Sequence, residues 1–246
     1  METPRRDIRC EPMASLLRQI IMLLAFAGAA MSPLANAEPV VVELFTSQGC
    51  SSCPPADALL GEVARKPNVI ALAYHVDYWD DLGWKDRFSL AQATQRQQGY
   101  VRRLSRSGPF TPQAVVSGDT SFVGSNRAEM TKALAEKRDA LAISLKKSGS
   151  QLQIQLNEAW REPMDVYVVS YLHEATTPIG SGENAHRALK EFNVVRSFKK
   201  VARWNGTPTQ YTVSVASFPS DSTAVAVLLQ RSGQGAIAGA ATTALR

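Results

Sequence analysis

The sequence predicts an α/β fold with an added antiparallel β-rich C-terminal part, and three observations predict it. Pro39 to Thr46 and Asn68 to Val76 are nearly continuous apolar runs of strand length, as expected for strands buried on both faces of a parallel sheet. Between them Ala56 to Arg65 carries Leu59, Leu60 and Val63 at helical spacing, which completes a βαβ unit. From about residue 141 helical periodicity gives way to short alternating runs, the pattern of half-buried strands.

Each element has a local reason. The first strand runs into the turn-like Ser47-Gln48-Gly49, and Pro54-Pro55 opens the helix, because proline suits first-turn positions whose N–H groups have no partner inside the helix. Ser89 to Leu104 reads as a second helix. Thr111-Pro112 precedes a short strand, Gln113 to Val116, and Gly118-Asp119 turns the chain into Thr120 to Val123. Asn126 to Asp139 is a polar amphipathic helix with Ser125 or Asn126 as its cap. Ile143, Leu145, Leu152, Ile154 and Leu156 alternate with polar residues around Ser148-Gly149-Ser150, a hairpin signal. Asp165 to His173, Asn193 to Arg203, Gln210 to Val215 and Thr223 to Gln230 are further strands, forming a small sandwich or a layer on the first domain.

Composition excludes several classes. The chain has 246 residues, 45% of them apolar and 20% charged, which rules out disorder, collagen-like repeats and a multi-span membrane protein. With 27 Lys and Arg against 22 Asp and Glu, the net charge is only +5. Arg96, Arg102, Arg103 and Arg106 are interleaved with Gln, Ser and Leu, so they read as a solvated helix face; no nucleic-acid partner is expected.

Residues 1–37 read as an export signal outside the fold. Ile20 to Met31 is apolar apart from Gly28, with Arg5, Arg6, Arg9 and Arg18 before it and Ala35-Asn36-Ala37 as a small-x-small cleavage site. The apolar run is too short for a membrane helix, which needs about twenty residues. Met13 is an alternative start, since Met13 to Ala37 alone makes a compact signal. The expected domains are therefore 1–37 as signal, 38–140 as the α/β domain and 141–246 as the β-rich part. The exported protein would be periplasmic or secreted, without a membrane span once the signal is cleaved.

Removal of the signal changes the cysteine count. Of three cysteines, Cys10 lies in the leader, and the mature chain holds only Cys50 and Cys53. Cys50-Ser51-Ser52-Cys53 falls between a strand and a helix N-terminus, where unpaired N–H groups and the helix dipole favour thiolate, the nucleophilic form. Cys50, nearer the solvent, would attack, and Cys53, one turn into the helix, would resolve the mixed disulfide. Thr111-Pro112 fits the same scheme. Thioredoxin-like folds place a cis-proline before a strand, opposite the dithiol, where the preceding residue receives substrate; only about one X–Pro bond in twenty is cis, so this assignment comes from fold context. The alternative is a trans proline opening an edge strand.

The segments VVELFTSQGCSSCPPADALL, AYHVDYWDDLGWKDRF, FTPQAVVSG with FVGSNR, and GENAHRALKEFNVVRSF together resemble a secreted bacterial thioredoxin-like family that carries only an uncharacterised-domain label. The resemblance spans nearly the whole mature chain. It implies a thioredoxin-like domain with a family-specific β-rich part, and no particular activity.

Further candidates surround the dithiol. Glu43, on the strand leading into the motif, is placed to accept the proton of Cys53 as a buried acid does in thioredoxins; otherwise it is a solvent-facing strand residue. His75, Asp77, Tyr78, Trp79, Asp80 and Trp84 follow the second strand, where ligands of open α/β sheets gather, or pack as an aromatic cluster over the sheet. Thr111 and Trp79 are the candidate substrate contacts. Glu183 to Arg187 is a polar, Gly-flanked loop, and His173 and His186 lack ligand spacing to each other.

Three functions follow. The first is an exported thiol–disulfide oxidoreductase with Cys50, Cys53, Pro112 and Glu43 as catalytic residues, acting on thiol- or disulfide-bearing proteins or small molecules and recharged by a redox partner. The Ser-Ser spacer sets no direction, so oxidation, reduction and isomerisation all remain open. No cofactor is implied. The second is Cu(I) handling by Cys50, Cys53 and His75, since soft thiolates select that ion. The third is a binding module in which the pair is a structural clip, disfavoured because so short a loop gains little from crosslinking.

Overall fold

In a computed structural model, residues 1–2, 39–138 and 140–245 are described. All of the expected signal but its first two residues, with Cys10, lies outside them. Strand β1 (Val40–Thr46) leads through the cysteine turn into helix α1 (Pro54–Val63), whose first two positions are the two prolines. Strand β2 (Val69–His75) lies parallel to β1 in unbroken register from Val40–Val69 to Thr46–His75. After a loop come α2 (Ala91–Arg103), the antiparallel pair β3 (Gln113–Val116) and β4 (Thr120–Val123), and α3 (Arg127–Ala135). Asn126 caps α3 by accepting the Glu129 N–H at 3.1 Å.

The C-terminal half supplies β5 (Ser144–Ser148), β6 (Gln151–Leu156), β7 (Met164–Pro178), β8 (Ala188–Trp204), β9 (Thr209–Ser214), β10 (Ala224–Arg231) and β11 (Ile237–Ala244). The result is a mixed α/β molecule with few helices and a large, mostly antiparallel sheet. That sheet has eight strands in the order β11-β10-β7-β8-β2-β1-β3-β4, and β5-β6-β9 form a second, three-stranded sheet. The β-rich half is not a separate body of strands, because β8 joins β2 in parallel at Ala73–Val194 and extends the first-half sheet. The Asn193 side chain reinforces that junction by donating to the Ala71 carbonyl at 2.9 Å.

Strand alternation explains the packing. Val42 and Leu44 of β1 face α1 and α3, while Val41 and Phe45 face the opposite side with Tyr100 of α2. Strand β10 is buried on both sides, with Ala224, Ala226 and Leu228 in the α2-side core and Val225, Val227 and Leu229 in a core shared with β6.

Two local expectations are corrected. Arg96 does not join the solvated arginine face. It is 4% exposed and buried beside Glu43, while Arg102 and Arg103 stay at the surface. Strand β11, IAGAATTA, was not expected, because small residues interrupted by Gly239 carry little strand preference.

Candidate functional site

The site is built where β1 ends. Thr46 closes the strand, and the Cys50 N–H donates to the Ser47 carbonyl at 3.2 Å, folding the chain into a turn. Cys53 N–H donates to the Cys50 carbonyl at 3.2 Å, and Ala56 and Asp57 N–H groups donate to the Cys53 carbonyl at 2.8 and 3.1 Å. Cys50 and Cys53 form a disulfide at the entrance of α1, with Cα atoms 5.4 Å apart. The unpaired N–H groups expected there are largely gone, since Pro54 and Pro55 carry none and Ala56 N–H is bonded; the helix dipole remains.

Solvent access also differs from expectation. Both cysteines have 0% exposure, whereas Ser51 and Ser52 between them are exposed. Cys50 is therefore not the more accessible sulfur. The tip of the β7–β8 hairpin lies against the main chain of this turn. Asn184 Nδ2 donates to the carbonyls of Gln48 and Cys50, both at 2.9 Å, and Glu183 accepts the Ser51 N–H at 3.1 Å.

Thr111 and Trp79 come together beside the turn, with the Trp79 indole N–H donating to Thr111 Oγ1 at 2.9 Å. Trp79 packs so close to Gly49 that a β-carbon there would lie 3.2 Å from its Cβ. The Thr111–Pro112 peptide is cis. Gly124 lies beside both Pro112 and Ala56 of α1: a β-carbon there would be 3.4 and 3.3 Å from theirs, so the residue after β4 fills the space between the cis-proline and the first turn of the dithiol helix. The loop after β2 thus reaches the site, and Trp84 donates its indole N–H to Gln48 Oε1 at 3.0 Å.

Glu43 lies elsewhere. It shares a sheet face with Val41 and Phe45, away from α1, and its carboxylate is held by Arg96 at 2.5 and 2.9 Å and by the Tyr100 hydroxyl. Burial alone would lower the Arg96 pKa, but the Glu43 carboxylate more than offsets it and keeps the guanidinium charged, with Tyr74, Tyr100, Tyr167 and Phe198 around it. A carboxylate committed to a buried cation across the sheet is not free to take the Cys53 proton.

A different carboxyl is buried on α1 itself. Asp57, one helical turn after Cys53, is 8% exposed, and burial raises its pKa to about 7 against the pull of His75. Behind it lies a buried polar network. His75 Nδ1 meets Asp86 Oδ2 at 2.6 Å, and its Nε2 is 3.9 Å from Glu191 Oε1. Burial alone would lower the His75 pKa, but Asp86, Glu191 and Asp57 hold it up at about 9. Burial pushes Asp86 up as well, yet His75 and the N–H groups of Gln48 and Phe88 keep it below the ordinary carboxylate value. Burial raises Glu191. Gln48 ties the network to the turn: its N–H donates to Asp86 at 2.8 Å, and its side chain donates to Glu191 and Thr177 at 2.8 and 3.1 Å.

The residues of the copper alternative are placed apart in role. His75 is engaged by Asp86, the two sulfurs are bonded to each other, and no group of three or more His, Cys, Asp or Glu side chains suited to a metal ion occurs among the described residues. His173 meets Thr223 Oγ1 at 2.7 Å, and His186 is exposed. A cleft of about 840 Å³ lies toward the far end of α1, lined by Leu59, Val63, Arg65, Arg127 and Met130, and does not include the dithiol. No helix among the described residues is long and apolar enough to cross a membrane.

Fold and site together define a mixed α/β protein with a disulfide at a strand–helix junction, backed by buried carboxyls. The chain belongs to the family described as "Protein of unknown function (DUF1223)", whose model matches residues 41–230. It is similar to a protein from Agrobacterium tumefaciens with a crystal structure from a structural genomics consortium. The two are 33% identical with a TM-score of 0.71, over 84% of this chain and 94% of that one. HBP35 of Porphyromonas gingivalis shares the fold at a TM-score of 0.58 and 15% identity, over 85% of this chain and 76% of that one. No curated protein matches the chain.

Proposed function

We propose that the protein is an exported thiol–disulfide oxidoreductase acting through Cys50 and Cys53. The observation that carries this reading is the Cys50–Cys53 disulfide at the start of α1 with the Asp57 carboxyl buried one turn behind it. We read β1, α1 and β2, flanked by the β3–β4 hairpin and with helices on both faces, as a thioredoxin-like core; the parallel β1–β2 pair and the antiparallel β1–β3 pair support it.

In the oxidising direction a substrate thiolate attacks Cys50 Sγ. The Cys50–Cys53 bond breaks, and Cys53 leaves as thiolate and takes a proton from the Asp57 carboxylic acid. A second substrate thiol then attacks the mixed disulfide and releases Cys50. The substrate loses two electrons, the protein gains them, and the reverse sequence reduces a substrate disulfide. Thr111 and Trp79 flank the approach to the turn and receive the substrate chain, with Pro112 fixing the backbone there.

The test is the dithiol potential in glutathione buffers, together with trapping. A potential within about −120 to −270 mV suits an exchange catalyst, and Cys53→Ser accumulates mixed disulfides that Cys50→Ser does not form. The burial of both sulfurs favours a second reading, a structural clip on a binding module. That reading requires a potential below about −300 mV and no trapped partner.

A further inference from the structure

We propose that the tip of the β7–β8 hairpin, residues 179–187, is a lid that lifts from the Cys50–Cys53 turn before the disulfide exchanges. The lid shields the disulfide from small thiols and yields to a polypeptide that takes over its main-chain contacts. The inference deepens the oxidoreductase reading and rests on it.

An attacking thiolate must reach a disulfide sulfur directly, and here neither sulfur is exposed although Ser51 and Ser52 are. The tip is placed to be the movable part of the cover. Four bonds hold it down: Asn184 to the carbonyls of Gln48 and Cys50, Glu183 to the Ser51 N–H, and the Ser181 hydroxyl to the Gly83 carbonyl at 2.6 Å. Asn184 is buried, while Gly180 to Glu183, His186 and Arg187 are exposed, so the tip has solvent on its outer side. It is also self-contained. Ile179 N–H donates to the Arg187 carbonyl at 2.8 Å, His186 N–H to the Ile179 carbonyl at 2.9 Å, and Arg187 Nη1 to Asn184 Oδ1 at 3.0 Å. A loop bonded within itself moves as a unit. The groups it covers, two carbonyls and one N–H flanking Cys50, are those that an extended chain pairs with through its own N–H and C=O groups. Dithiothreitol has no such groups.

The experiment uses the oxidised full chain with two reductants, dithiothreitol and reduced, unfolded ribonuclease A, followed by quenched alkylation and mass measurement. With dithiothreitol, a thiolate attacks Cys50, Cys53 leaves and is protonated, and the second thiol closes the reductant's ring as Cys50 departs; two electrons pass to the protein. Asn184→Ala should speed dithiothreitol reduction about tenfold or more, the factor that corresponds to about 1.4 kcal/mol, while the ribonuclease rate changes less than about threefold. Glu183→Ala, a change at an exposed carboxylate that leaves the fold intact, should accelerate dithiothreitol in the same direction. Glu174→Gln, on the hairpin's arm where it pairs with Lys190, should do nothing. Dithiothreitol rates unchanged in both Asn184→Ala and Glu183→Ala overturn the lid, even if the wild type oxidises ribonuclease well and the oxidoreductase reading stands. If dithiothreitol reduces every form but none oxidises ribonuclease, the oxidoreductase reading fails and takes the polypeptide preference with it.

Discussion

Asp57 concentrates the chemistry of the site in one side chain. Its pKa is about 7 in the folded protein against an ordinary 3.8, so the native state holds that proton more tightly and loses stability as pH rises from about 4 through 7. His75, held at about 9 against an ordinary 6.5, extends the decline to higher pH by the same logic. Asp57→Asn fixes the neutral form. It should raise stability at pH 8 by about 1–3 kcal/mol, since each pKa unit corresponds to about 1.4 kcal/mol, and leave stability near pH 4 unchanged. The same variant should lose the inflection near pH 7 in the rate at which Cys53 leaves or resolves. Urea titrations at both pH values and a pH–rate profile check this; a destabilised variant at pH 8, or a retained inflection, removes Asp57 from the proposed role. The sequence did not single out Asp57, because an aspartate in a helix's first turn is ordinarily explained by the dipole. What sets it apart is burial against His75 and Glu191, which arrive from β2 and β8. Glu43 precedes the cysteines on the strand, which makes it a candidate acid in the sequence beside the alternative of a solvent-facing strand residue. Its alternation with Val42 and Leu44 puts it on the other face, and Arg96, four residues before Tyr100 on α2, is its partner.

At the level of elements, α1 shows how closely the C-terminal half fits the dithiol helix. Gly61 lies under the Phe192 ring of β8, and a β-carbon there would come within 2.4 to 2.9 Å of three ring carbons. Two effects of Gly61→Ala oppose each other. Alanine is favoured in a helix interior by about 1 kcal/mol, and overpacking costs about 1–3 kcal/mol. Because the clash extends to the ring carbon attached to Cβ, turning the ring about χ2 does not relieve it, and a change of χ1 would have to carry the whole ring out of its site, so overpacking wins. The variant should lose about 1–2 kcal/mol in a urea titration, and Phe192→Leu in that background should recover part of it; a Gly61→Ala protein as stable as wild type would show that β8 yields easily. Local signals served the elements unevenly. The prolines placed the start of α1, and the Asn126 cap placed α3. Strands β7 and β8 extend past their apolar runs into polar segments such as Glu174 to Thr177, because hairpin pairing continues where side-chain patterning stops. That extension carries the tip to the cysteine turn. Glu183 to Arg187 therefore read only as a polar loop, its destination set by the length of two strands.

The molecule as a whole bears on the boundary near residue 140, where the sequence changes character. Periodicity reports local structure, and the pairing of β2 with β8 is a contact between distant segments that no window of sequence contains. Across that line, besides the hairpin tip on the cysteine turn, the N-terminal part draws on its successor in several ways. Strand β2 takes β8 along its free edge, and Arg96 packs against Tyr167 and Phe198 and donates to Gln230 at 3.1 Å. Gly61 receives Phe192, and Gln48 gains Glu191 and Thr177. A chain ending at residue 140 would open the edge of β2, uncover one side of the Glu43–Arg96 pair and leave Gln48 without the acceptors that hold the cysteine turn. Such a fragment should therefore lack a cooperative thermal transition and near-UV circular dichroism, although it contains both cysteines and the cis-proline bond. The whole of 39–245 should melt in one step. A sharp transition in the shorter fragment would mean that its own core suffices, and that the β-rich half is an accessory to a dithiol domain that stands without it.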